Sequence, residues 1–239
     1  RRRLDVMKTL IIVSHPEIDE SGSQQYLKEA LPNSSDITFH HLESTYPEGK
    51  IDIEQEQQLL QQHDRIIFQF PLYWYASPPM LKHWQDEVLT ENFAYGFGGN
   101  KLKDKELGLV LVIGMPEKEY QVSGNEGYTL SALTTPYQAM AKKTQMNFLK
   151  PFLIFQFHYM EESEKMRMLI AYQQYLMIEN FDTLRAKESW FLQQLDDMDE
   201  KFLPDGSQFI LDQIKELIED NRMELDEIQM YLEQAGGSL

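Results

Sequence analysis

Residues 68–84 read FQFPLYWYASPPMLKHW. The strand-like run Arg65–Phe70 (RIIFQF) enters Pro71, three consecutive aromatics follow at Tyr73, Trp74 and Tyr75, and Pro78-Pro79 opens a helix-like stretch to Leu89. The same strand, loop, helix order recurs on either side. Lys8–Ser14 (KTLIIVS) is an apolar, β-branched run consistent with a buried strand, and Gln24–Leu31 reads as a helix closed by Pro32. Asp36–Leu42 (DITFHHL) alternates like a strand near a sheet edge, and Ile51–His63 is rich in helix formers. Glu106–Ile113 (ELGLVLVI) makes a fourth strand and Pro151–Phe157 (PFLIFQF) a fifth, with helical patterns over Thr129–Phe148 and Glu161–Ile178. Five strands alternating with five helices predict an α/β fold, a doubly wound five-stranded parallel sheet of order 2-1-3-4-5 with helices on both faces.

After Asn180 the pattern changes. Phe181–Leu203 and Ser207–Gln234 are acidic, amphipathic helical stretches separated by the turn signal Pro204-Asp205-Gly206. In the second, Phe209, Ile210, Ile214, Leu217, Ile218, Met223, Leu225, Ile228 and Leu232 recur at roughly helical period. A helical hairpin extension is expected over 181–239, packed as added core or at a subunit interface, beside an α/β domain over 7–180.

Composition narrows the functional classes. The chain of 239 residues is 42% apolar and 12% aromatic, which suits a globular core. Without cysteine there is no disulfide, thiolate nucleophile or thiolate metal site, and no metal is expected; the composition fits a cytoplasmic protein. A formal charge of -17, much of it beyond residue 182, makes nucleic acid and anionic membrane poor partners. No apolar run is long enough to span a bilayer. Arg1-Arg2-Arg3 leads into a strand rather than a leader, so Met7 is the expected natural start and residues 1–6 a remnant or short extension.

In such sheets ligands collect beyond the carboxyl ends of the strands where the strand order reverses, here between the first and third strands. The loops at that point are Ser14–Ser23 and Pro71–Ser77. The first feeds a helix start, where Ser21, Ser23 and Gln24 offer donors and the helix terminus favours an anion; simple capping by Ser21 or Ser23 explains the same residues equally well. His15 is open in the same way, as a phosphate contact or as a loop histidine bound to backbone. The second loop offers flat surfaces at Trp74 and Tyr75, which would be a self-packed hydrophobic corner were there one aromatic rather than three. The loop after the fourth strand, GMPEKEYQVSGNEG, carries Gly114, Gly124 and Gly127. A phosphate near the first loop and a planar ring near the other two describe a flavin nucleotide.

The segment FQFPLYWYASPPMLKHW resembles the flavin-binding stretch of the NAD(P)H:quinone oxidoreductase family, the flavodoxin-like enzymes that include diaphorase. ENFAYGFGG resembles the family's A-Y-G-x-G-G run, and Ser14-His15-Pro16 its strand-one A-H-P. The likeness runs from about residue 7 to 180 and is nearest the bacterial branch with the ancillary subunits of glutathione-gated potassium efflux systems. It implies that His15, Ser21, Ser23 and Gln24 hold the flavin phosphate and that Pro71, Leu72, Tyr73, Trp74 and Tyr75 lie along the ring. It further implies that Ile113, Gly114, Met115 and Pro116 meet the ring's pyrimidine edge, and that Tyr120 lines the nicotinamide and quinone pocket, with a possible role as proton donor. Gln24 stands where the family has Asn and Tyr73 where it has Gln. Met115-Pro116 replaces glycines, so the Pro116 N–H is missing. Glu126 occupies a substrate-pocket position where diaphorase-like members carry a histidine, and is expected to turn away from the ring or to be protonated. The implied activity is two-electron, ping-pong hydride transfer from NAD(P)H through flavin N5 to a quinone, with FMN favoured over FAD and a homodimer as the working form. The same branch implies an alternative, a regulatory flavoprotein that binds and activates a membrane transporter, with the acidic hairpin as docking element. A one-electron flavodoxin would leave the Tyr120 loop and AYGFGG without a purpose.

Overall fold

A computed structural model describes residues 7–198, 204 and 207–234. Residues 1–6, 199–203, 205–206 and 235–239, and with them the expected N-terminal extension, the end of the first hairpin helix, most of the turn after it and the end of the expected extension, lie outside the described residues. The described residues divide into two compact units, one up to Met177 and one from Ile178.

The first unit is built on a parallel sheet. Its strands are β1 (Thr9–Val13), β2 (Ile37–His41), β3 (Arg65–Pro71), β4 (Glu106–Ile113), β5 (Asn147–Phe148) and β6 (Phe152–Phe155). The order is β2-β1-β3-β4-β5, with β6 also parallel to β4. The register aligns Val13 with Gln69 and Pro71 with Val112, so the loops after β1, β3 and β4 leave the same edge side by side. The helices are α1 (Gly22–Glu29), α2 (Leu42–Thr45), α3 (Ile53–Gln62), α4 (Pro79–Val88), α5 (Leu130–Leu133), α6 (Thr135–Thr144) and α7 (Glu162–Met177).

Every residue of β1 and β3 is buried, as strands covered on both faces require. α4 starts at Pro79, whose fixed φ suits a first helical position. It drives Trp84 into the core against Phe68, with ring centroids 5.7 Å apart at 78°. Trp84 Nε1 donates to Glu56 Oε2 of α3 at 2.8 Å; Glu56 Oε1 pairs with His40 Nε2 at 2.8 Å and accepts from Tyr46 at 2.5 Å. Burial works against the Glu56 charge, but the bonds from His40, Tyr46 and Trp84 leave its carboxyl below the usual range.

Two expected elements differ. The helix over Thr129–Phe148 is two helices, broken at Thr134, and ends at Gln145, whose φ of 60° closes it in the left-handed conformation. Asn147–Phe148 then pairs with Glu106–Leu107, and Phe152–Phe155 with Val110–Ile113. Pro151, with no N–H for the ladder, separates the two halves, so the fifth strand begins earlier than its apolar run suggests.

The second unit holds α8 (Leu184–Asp196) and α9 (Ser207–Gln234), antiparallel. Asp196–Lys215 (2.5 Å), Glu188–Arg222 and Arg185–Asp226 (3.9 Å) tie them together. The α9 stripe was expected to pack as added core or at a subunit interface; within this chain Ile214 and Ile218 are partly covered, no α9 residue is fully buried, and Phe209, Ile210, Leu217, Met223 and Ile228 are all more than half exposed. Among the described residues no helix is long and apolar enough to cross a membrane.

Candidate active site

Val13 hands the chain to Ser14 and His15 at the point where β1 lies between β2 and β3. Ser14 Oγ donates to Glu43 Oε1 at 2.6 Å, and His41 Nε2 lies 3.1 Å from Glu43 Oε2. His41 Nε2 also donates to the His15 carbonyl at 2.9 Å, so β2 and the first turn of α2 brace the loop from beneath. His15 Nδ1 accepts from the Glu17 N–H at 3.1 Å, which leaves its proton on Nε2, 3.5 Å from the Tyr73 hydroxyl. Burial pushes the His15 pKa down, against the pull of Glu43, so the ring is neutral at neutral pH.

The loop then enters α1. Ser21 is its N-cap, accepting from the Gln24 N–H at 3.4 Å, and lies 3.3 Å from Ser23 Oγ. The cap reading is therefore realised, but weakly. The first N–H groups of a helix have no intrahelical acceptor, so open donors remain at this end. Gln24 is fully buried, and its Oε1 accepts from Gln69 Nε2 at 2.7 Å; Gln69 Oε1 in turn accepts from the Tyr172 hydroxyl of α7 at 2.7 Å. Gln24 Nε2 is left without an acceptor among the described residues. A buried donor without a partner costs about 1–3 kcal/mol. Such a cost points to a site that something else completes.

Across the reversal point, β3 leads into a two-residue turn. Tyr73 N–H donates to the Ala76 carbonyl and Ala76 N–H to the Tyr73 carbonyl, both at 3.0 Å. The residues at the tip, Trp74 and Tyr75, have φ of 46° and 64°. Left-handed backbone suits Gly or Asn in such turns and is strained for bulky side chains. The tip nevertheless holds Trp74 at 91% exposure, with Tyr73 and Tyr75 almost half exposed. Pro71 ends β3, and Leu72 N–H donates to Val112 at 2.9 Å, which sets the turn beside the end of β4. A cleft of about 620 Å³ opens next to Tyr75, with Leu89, Leu133, Tyr137 and Met140 among its walls and Lys82 at its edge.

The third loop leaves β4 at the buried Ile113, with Gly114 and Met115 exposed and Pro116 half-buried. It folds back on itself. Glu126 N–H donates to the Glu119 carbonyl at 3.2 Å, and a Cβ on Gly124 would meet that oxygen at 2.2 Å, so only glycine fits. Tyr120 packs against the core. The Glu126 carboxyl lies beside Tyr75 and raises the Tyr75 pKa. The Tyr120 pKa is raised by burial and then by the Glu126 charge.

His15, Ser21, Ser23 and Gln24 thus converge on the loop-to-α1 side, and Tyr75, Tyr120 and Glu126 on the other. Gln69, Tyr172, His41 and Glu43 support the site without having been picked out. Gln69 left one signal, a lone amide inside the apolar run RIIFQF.

Residues 7–176 match the family model described as flavodoxin-like fold, and the chain belongs to that family. An uncharacterized NAD(P)H oxidoreductase of Bacillus subtilis, YdeQ, is 50% identical over 149 residues, 62% of this chain and 76% of its own. The glutathione-regulated potassium-efflux system ancillary protein KefG of Pectobacterium atrosepticum is 37% identical over 148 residues, 62% of this chain and 81% of its own. Among solved structures, an NADPH-quinone reductase from P. pentosaceus superposes with a TM-score of 0.68 at 44% identity, covering 72% of this chain and 98% of the other. General stress protein 14 of Treponema denticola, in complex with FMN, superposes with a TM-score of 0.65 at 34% identity, covering 71% and 99%.

Proposed function

We propose that this protein is a flavin-dependent NAD(P)H oxidoreductase acting on quinones or similar aromatic acceptors, with its chemistry in residues 7–180. The observation that carries the reading is the buried, acceptor-less Nε2 of Gln24 in the first turn of α1, on the loop that leaves β1 next to the strand that ends in the strained aromatic turn. The residues fit a flavin nucleotide: a phosphate would complete the donor set of Ser21, Ser23 and Gln24, and a planar ring would lie along Pro71–Tyr75. The relatives named for NAD(P)H oxidation and quinone reduction, and the FMN complex of a similar fold, support this assignment and favour FMN over FAD. When bound, the flavin supplies the hydride acceptor and donor between NAD(P)H and the quinone.

The chain's own residues bind, orient and tune. Trp74 and Tyr75 present flat surface on a backbone held rigid by paired hydrogen bonds, the pre-organisation that brings reactants to attack distance. Met115 and Pro116 would border the ring's pyrimidine edge, where Pro116 offers no donor, so stabilisation of negative charge would fall to other backbone N–H groups. Tyr120 and Tyr75, both with raised pKa, hold their phenolic protons at neutral pH and flank Glu126. A homodimer and a cytoplasmic location belong to this reading.

Purified protein given FMN should show flavin absorbance that bleaches on anaerobic NADPH and returns with a quinone. A protein that takes up no flavin defeats the reading. The likeness to KefG favours a second reading, a regulatory flavoprotein for a potassium-efflux transporter. Bound flavin that no nicotinamide reduces would select it.

A further inference from the structure

The hairpin of the second unit lies outside the stretch that matches the family, and its surface is unusual in two respects. Residues 178–239 carry sixteen acidic against five basic side chains, a net of -11 out of the chain's -17. Its long helix also leaves an apolar line uncovered. Ile210, Leu217 and Ile228 are separated by seven and eleven residues, so at 3.6 residues per turn they fall within about 20° of one another around α9. They are 57%, 62% and 54% exposed, with Tyr231 at 64% beside them.

Charge is sorted around the same helix. Its two cations, Lys215 and Arg222, face α8 and are spent on Asp196 and Glu188. Asp220, Glu224 and Glu227 flank the apolar line on one side, and none has an ion-pair partner among the described residues. An apolar line edged by unpaired carboxylates is half of a helix-to-helix interface whose other half must supply apolar side chains edged by cations. A second copy would bring -11 against -11 and is opposed by that charge.

We propose that the Ile210–Leu217–Ile228 face of α9 is a docking surface for a basic amphipathic helix of another polypeptide. Apolar contact supplies the seat, and the carboxylate edge selects the sign and orientation of the incoming helix. None of these residues belongs to the proposed flavin site, so the test does not depend on redox activity.

The probe is a fluorescein-labelled peptide of about 18 residues built of Leu and Lys with the leucines on one face, titrated with the full-length protein and read by anisotropy. Saturable binding is expected, weakened at least tenfold between about 50 and 500 mM salt. Leu217→Gln/Ile228→Gln should weaken it by about tenfold or more at unchanged net charge. Both sites are exposed and Gln is a good helix former, so far-UV circular dichroism should be preserved. Asp220→Asn/Glu224→Gln/Glu227→Gln, which leaves the apolar line intact, should lower affinity and flatten the salt dependence, and it carries the test should the first variant lose helix. The proposal is overturned by absence of saturable binding, or by equal binding to Leu217→Gln/Ile228→Gln, which would reduce it to diffuse charge attraction. It is also overturned if that variant changes the oligomeric state in sedimentation, which would seat a second copy on the face.

Discussion

Replacing Trp74-Tyr75 by Asn-Gly puts the residue pair that this turn geometry prefers at its tip. Both residues now sit at positive φ, 46° and 64°. Each left-handed non-glycine residue costs about 1–2 kcal/mol, and Asn and Gly escape most of that. Glycine gives back about 0.5–1 kcal/mol through the entropy of the unfolded chain. Trp74 is 91% exposed, so its removal forfeits almost no burial; Tyr75 is 44% exposed, so Tyr75→Ala, which forfeits the same burial and keeps a left-handed non-glycine residue, is the reference. The flavin-free double variant should therefore be more stable than Tyr75→Ala by about 1–2 kcal/mol, a difference in Tm of about 2–8 °C for a unit of this size. Urea unfolding of the flavin-free protein followed by far-UV circular dichroism measures the gain, and Tyr75→Phe isolates the lost hydroxyl contact with Glu126. In the same samples FMN affinity should fall by about tenfold or more, since the flat surfaces are gone. A urea midpoint no higher than that of Tyr75→Ala would refute the stored strain. A gain in stability with undiminished FMN affinity would refute the claim that the strain serves the ring.

Gln24→Glu keeps the acceptor for Gln69 but removes the open donor and adds a negative charge. FMN should bind about a hundredfold more weakly by isothermal titration while riboflavin, without the phosphate, changes far less; an equal loss for both would place Gln24 elsewhere. Glu56→Gln cannot satisfy three donors and should cost about 2–4 kcal/mol in urea unfolding. The wild-type carboxyl lies below its ordinary 4.5, so its contribution is present above that value and is lost as the pH falls through the lowered one; Glu56→Gln should flatten this acid limb. Gly124→Ala drives a Cβ into the Glu119 carbonyl and should lower kcat/KM for NADPH about tenfold or more while leaving the unfolding midpoint of the flavin-free protein nearly unchanged. Glu126→Gln removes one negative charge beside Tyr75 and should reduce KM for the anionic NADPH about twofold at low salt, an effect that vanishes at high salt.

Runs such as KTLIIVS and RIIFQF, alternating with helical patterns, were enough to predict the parallel sheet and the order 2-1-3-4-5, because burial on both faces is a local demand that each segment meets in its own composition. The edge at which ligands collect follows from that order, so the two unusual loops could be singled out before any contact was known. The extent of the fifth strand could not be read in the same way, since Asn147–Phe148 is too short to carry a period and is strand only because Glu106–Leu107 lies beside it. The same holds for the chain from Tyr172 through Gln69 to Gln24, whose links span 103 and 45 positions, and for the left-handed turn that hides behind two aromatics rather than Asn-Gly. The α9 stripe shows the limit most plainly. Its period is helical and was visible, but whether an apolar face is covered depends on what the rest of the fold brings to it, and here Ile210, Leu217 and Ile228 stay open. Local pattern determined which residues turn together toward one side. Tertiary structure alone decided what, if anything, meets them there, because burial is a property of the neighbours as much as of the side chain.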